Sequence, residues 1–171
     1  TLATTLGWTL TNTGTNESSA NTWYISADER GMGAGNCGDG CNGTNNRTLH
    51  VGTTLFGDLG ASYFESDPSS CISFGWCAIT DRRIESPSIN CSGISNIPFT
   101  FEYIENGEGT DDDATVWYSS NGGGTWTLLD NPPKTTICGG GQGLWTARNL
   151  VLPVSADNNP NIKIGFRWVN N

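Results

Sequence analysis

The sequence predicts an all-β protein: a two-sheet antiparallel sandwich, most simply a jelly roll. Three observations predict it. Apolar residues alternate at Phe99, Phe101 and Tyr103, and again at Ile162, Ile164, Phe166 and Trp168, the period of a strand with one face buried. Short aromatic and β-branched runs are separated by clusters of Gly, Asn and Pro. No segment holds a helical apolar period over three turns. About eight to ten such runs fit one domain spanning residues 1–171, large enough to bury a core between two packed sheets.

Taken in order, "LGWTLTN" (6–12) and "NTWYIS" (21–26) are the first candidate strands. Both carry Trp beside Thr, residue types that suit a pleated surface. A Gly/Asn/Cys loop follows from Asp28 to Asn46, and "RTLHVG" (47–52) is a short strand after it. Residues 55–80 read as irregular, with "SYFE" and "CISFGWC" as possible strand pieces. The most regular part is "RRIESPSIN" (82–90), "IPFTFEYIE" (97–105), "ATVWYSS" (114–120) and "TWTLLD" (125–130). "LWTARNLVLP" (144–153) and "NIKIGFRWVN" (161–170) complete the series.

Seventeen acids against eight bases give a net charge of −9, which repels nucleic acid. No apolar run approaches the roughly 20 residues that span a bilayer, so no membrane insertion is expected. The chain starts at Thr1 with neither an initiator Met nor an apolar leader, which predicts a mature or excised product. Six cysteines, an even number in a turn-rich chain, predict disulfides and an oxidising, extracellular compartment. The shortest loops join Cys37 to Cys41, Cys71 to Cys77, and Cys91 to Cys138. Zinc is the rival reading, but His50 is the one histidine and no CxxC pair exists.

"SSNGGGTW" (119–126) lies between two strand-like runs, and Asn121-Gly122 marks a hairpin because both residues tolerate positive φ. The pattern is similar to the Asp-box of sialidase-like propellers, with Asn121 where Asp is usual. That motif clamps a hairpin away from the sialidase active site. Propellers carry several copies and more residues than this chain, so the stretch reads as a stiff turn.

"ENGEGTDDDA" (105–114) offers Glu105, Glu108, Asp111, Asp112 and Asp113, the oxygen-rich chemistry that hard cations take. The alternating spacing of an EF-hand is missing, and a solvated acidic loop is the competing reading. Asp28 and Glu29 form a second acidic group, and Glu102 points away from its strand's core face. A calcium ion joining distant loops would draw one residue from each group. Catalysis has little to stand on: a serine triad would need His50, which reads as a surface strand residue with no nucleophile elbow nearby. Acids are plentiful, but nothing singles out a hydrolytic pair. Trp117, Trp126 and Trp145 are candidates for stacking on sugar rings, against the alternative that they belong to the core.

Residues 80–171, with "RIESPSI", "FTFEY", "YSSNGGGTW" and "IGFRW", resemble the jelly-roll modules of secreted Bacteroidetes proteins. These are similar to the MAM domain and to the cleaved-adhesin modules of gingipain-type proteases. The first half matches chiefly through "ISADERG". The resemblance implies a galactose-binding-like jelly roll, secreted or at the cell surface and exported by type IX secretion. It also implies a non-catalytic adhesive, structural or accessory role and a structural calcium ion. Carried over by position, the ion's ligands are Asp28, Glu102 and Asp113. Such modules continue beyond "FRWVNN" into a closing strand, so the expectation is further polypeptide after Asn171, or a neighbouring domain or subunit that completes the sheet edge. The expected partner is an extracellular protein or a glycan. The alternative is a carbohydrate-binding module of a polysaccharide-degrading enzyme, using Trp117 and Trp145. A small hydrolase is the third class.

Overall fold

The computed structural model describes residues 6–38, 46–65, 77–109 and 111–171. Its strands are β1 (Thr9–Asn12), β2 (Thr22–Ser26), β3 (Thr48–Gly52), β4 (Thr80–Glu85), β5 (Pro98–Tyr103), β6 (Asp113–Ser119), β7 (Thr127–Asp130), β8 (Thr146–Val151) and β9 (Lys163–Asn170). Two single-turn 3-10 helices, Gly139–Gly141 and Val154–Ala156, interrupt the connections. Every strand pair is antiparallel. The protein is therefore an all-β antiparallel sandwich, as the alternation predicts.

One layer is a five-stranded sheet in the order β1-β4-β9-β6-β7. The other consists of two separate pairs, β2-β3 and β5-β8. Register sets which side chains face inward. Ala114 lies opposite Trp168, Val116 opposite Phe166, and Tyr118 opposite Ile164, so the even-numbered residues of β6 and β9 share one face. Ile84 joins them opposite Phe166. Each apolar side chain buried here removes enough surface from water to contribute about 1.5–3 kcal/mol.

The buried side chains form two cores. Val116, Tyr118, Leu152, Ala156, Ile162, Ile164 and Cys91 make one, against Phe99 and Phe101. Trp23, Val51, Ile84 and Trp168 make the other, against Trp8, Leu49 and Tyr63. Phe166, on the central strand, packs against both and stays half-buried. The division matches the gap between the two strand pairs of the second layer.

The turn between β6 and β7 is a side-chain clamp. Asn121 Oδ1 accepts from Thr125 N at 2.8 Å and Ser119 Oγ at 2.9 Å, while Asn121 Nδ2 donates to Thr125 Oγ1 at 3.0 Å. Trp126 Nε1 donates to Gly123 O at 3.1 Å. Gly122 and Gly123 sit at φ +70° and +100°, where a side chain would be strained. Asn121→Ala should lower stability by about 1 kcal/mol, one net hydrogen bond's worth, in urea denaturation.

Two cysteine pairings differ from the short-loop expectation. Cys37 is bonded to Cys138, 101 residues away, rather than to Cys41. Cys91 is a free thiol, 4% exposed, packed in the first core rather than joined to Cys138. The cause is tertiary. Gly38 N donates to Gly143 O and Cys138 N to Gln142 O, so two distant segments converge beside residues 142–144 and bring their thiols together. Cys77 is also disulfide-bonded. Cys41 and Cys71 lie outside the described residues, as do "CISFGW" and the 71–77 pairing.

Candidate functional site

The gap in the second layer is a cleft of about 910 Å³. Its floor is the inner face of the five-stranded sheet, with Ala114, Val116, Phe166 and Trp168. Its walls include residues 47–51 and 101–107, both consecutive runs. Successive side chains of a strand point to opposite faces, so a cleft bordered by consecutive residues touches a strand's edge as well as its face. The borders are thus edges of β3 and β5. Among the described residues, β3 pairs only with β2 and β5 only with β8, and each keeps one edge without a ladder partner.

Aromatic rings dominate the lining: Trp8, Trp23, Tyr63, Phe101, Trp145 and Phe166. Tyr63 packs edge-on against Trp168 at 4.9 Å, and Phe101 edge-on against Phe166 at 5.6 Å. Polar groups stand among them. Trp145 is 7% exposed, and its indole Nε1 has no hydrogen-bond partner among the described residues. A buried indole N–H usually finds one.

His50 also lines this cleft and is 5% exposed, which corrects the expectation of a surface residue. The "TLHVG" strand alternates too briefly to reveal that its second face meets the loop after β3: on that face Tyr24, opposite His50 in the ladder and edge-on to the imidazole at 4.3 Å, donates its hydroxyl to Gly60 O at 3.0 Å. His50 Nδ1 is 3.0 Å from Thr48 Oγ1, and Nε2 has no hydrogen-bond partner among the described residues, with Asp58 Oδ1 at 3.9 Å. Burial lowers the imidazole pKa to about 4, against a smaller upward pull from Asp58. No serine or cysteine within hydrogen-bonding distance of His50 forms a triad among the described residues.

At the end of the cleft Glu105 Oε1 accepts from Ala114 N at 2.8 Å and from Lys134 Nζ at 2.6 Å. Lys134 also donates to Asp113 Oδ1 at 2.8 Å and to the carbonyl of Asp112 at 2.6 Å. Burial pushes the Glu105 carboxyl above its ordinary value, and the bonds from Lys134 and Ala114 offset this only in part. Burial opposes the Lys134 ammonium, yet its bonds to Asp113 and Glu105 hold it above the usual lysine value. This cluster stitches the acidic loop to the loop after β7.

The residues named from sequence fall in different places. Asp28 is half-buried just after β2, and Glu102 is exposed on β5, at the rim of the cleft. Asp113 is engaged by Lys134 and by Asn131 at 3.1 Å. Trp117 lies on the outer face of the large sheet, half-buried. Its Nε1 donates to Thr115 Oγ1 at 2.9 Å, and the Arg167 guanidinium stands 5.7 Å from its ring. Trp126 carries the Arg83 guanidinium at 4.1 Å on the same face. That outer face is thus a set of cation–aromatic contacts, each with a ring face covered by the protein's own arginine. Trp145 alone of these indoles reaches the cleft.

No family model, no curated protein and no solved structure matches the chain.

Proposed function

We propose that the chain is a non-catalytic module of a secreted or cell-surface protein, with an adhesive or structural role, and that it acts by accepting an extended strand of an extracellular partner in the cleft. One observation carries the reading: the edges of β3 and β5 border a gap whose floor is apolar. An added strand satisfies backbone groups on its neighbours while alternate side chains enter the apolar groove, the physics of β-augmentation. The acidic balance and the disulfides Cys37–Cys138 and at Cys77 accord with an oxidising, extracellular setting. Membership in the secreted Bacteroidetes jelly-roll group and export by type IX secretion follow from the resemblance of residues 80–171 and belong to the same proposal.

A carbohydrate-binding role is the second reading. The partnerless indole N–H of Trp145, among aromatic rings, would suit a sugar hydroxyl.

The probe is a fluorescein-labelled heptapeptide alternating Val and Thr, followed by polarisation. Ala114 lies on the floor, and Ala114→Trp fills it. Binding should fall about tenfold or more, given the 1–3 kcal/mol typical of overfilled packing. No peptide binding, together with glycan-array binding lost in Trp145→Ala, would replace the strand reading with the sugar one. Neither binding would overturn both.

A further inference from the structure

Outside the cleft, the loop between β5 and β6 folds back so that Asp112 N donates to Glu108 O at 3.1 Å. The turn is tight: a Cβ on Gly107 would come within 2.2 Å of the Asp112 carbonyl oxygen, so only glycine permits this approach. The folding brings Glu108 and Asp112 beside Glu65, which approaches from the segment after β3. One carboxylate oxygen from each lies within 4.8 Å of the others. Asn171 lines the same recess.

Three carboxylates at this separation repel one another strongly. Acidic clusters on surfaces are common, but Asp112 is unlike a surface acid. It is 1% exposed, and its Oδ1 has no hydrogen-bond partner among the described residues. Its other oxygen is held in place: Tyr63 Oη donates to Oδ2 at 2.7 Å. A buried carboxylate oxygen with no donor is costly unless something positive meets it. Lys134, whose ammonium reaches the Asp112 carbonyl, is spent on Glu105 and Asp113.

We propose that Glu65, Glu108 and Asp112 form a binding site for calcium, with Asp112 Oδ1 as its buried anchor and Tyr63 as the group that orients it. All donors are oxygens, the chemistry of hard cations rather than zinc or copper. Glu65 and Glu108 are exposed, so the remaining coordination positions are open to water. Calcium tolerates that irregular, partly hydrated sphere better than magnesium, which demands a near-ideal octahedron. The ion ties the β5–β6 loop to the segment after β3, and Tyr63, which also lines the cleft, is the residue the two sites share.

The test uses the chelator-treated chain titrated with calcium chloride, read by calorimetry, and with terbium, read by luminescence sensitised through Tyr63 and Trp168. The expected result is one ion per chain and a rise in melting temperature with calcium. Asp112→Asn and Glu108→Gln should each weaken binding about tenfold or more, and Tyr63→Phe about tenfold, while Asp28→Asn leaves it unchanged. Glu108 is exposed, so its variant reports on the site even if Asp112→Asn does not fold. Absence of binding in the unaltered chain, or undiminished affinity in Glu108→Gln, overturns the proposal.

Discussion

Replacing both Cys37 and Cys138 with serine should cost about 4 kcal/mol of folding stability, because their bond closes a loop of 101 residues. Loop-closure entropy removed from the unfolded chain grows with loop length, and this loop encloses β3 through β7. The bond also joins the loop after β2 to the one before β8, at segments held beside residues 142–145 by Gly35, Gly38 and Cys138 backbone bonds. Urea unfolding of the double variant, with the m-value as a check on the unfolded state, reads the loss directly. A loss below about 1 kcal/mol would show that native strain or residual structure cancels the chain-entropy gain. Tryptic mapping of the unreduced chain should recover the peptides of Cys37 and Cys138 as one linked species, with the Cys91 peptide open to alkylation after unfolding.

Acid should destabilise the protein through His50. The folded imidazole has a pKa of about 4, against 6.5 when unfolded. Between those values the unfolded chain binds the proton and the folded one does not, so stability falls as pH drops through this window. The full contribution is about 3 kcal/mol, reached below pH 4. Glu105 works the other way. Burial raises its pKa, so protonation favours the folded state as pH falls toward the carboxylate range. The difference between proteins is therefore the informative quantity. His50→Gln should flatten the fall in stability between pH 6.5 and 4 relative to the parent chain. An identical acid profile in both would place the effect elsewhere.

The fold was legible where local chemistry decides it. The runs around Phe99–Tyr103 and Ile162–Trp168 became β5 and β9 with the expected faces, because period-2 alternation is a property of a few neighbouring residues. The Asn121 turn was legible for the same reason. The disulfide was not, since six cysteines allow fifteen pairings and only the long-range docking of residues 35–38 and 136–138 selects one. His50 was misplaced because burial depends on Tyr24, which the sequence puts 26 positions away yet the register sets directly opposite. In the acidic stretch, Asp112 differs from Asp111 and Asp113 in no way a sequence displays. Its distinction comes from Tyr63, Glu65 and the close turn at Gly107.

The position of β9 has a kinetic consequence. It lies between β4 and β6, and its seven-residue ladder with β6 and six-residue ladder with β4 hold the large sheet together. Yet it follows both of these partners in chain order. During synthesis β4 and β6 emerge with no central strand to pair with, and their apolar faces wait for residues 163–170. Such non-local pairing makes folding slow and leaves edges exposed meanwhile. Nascent chains arrested before β9 emerges should remain open to protease, and protection should arrive in one late step.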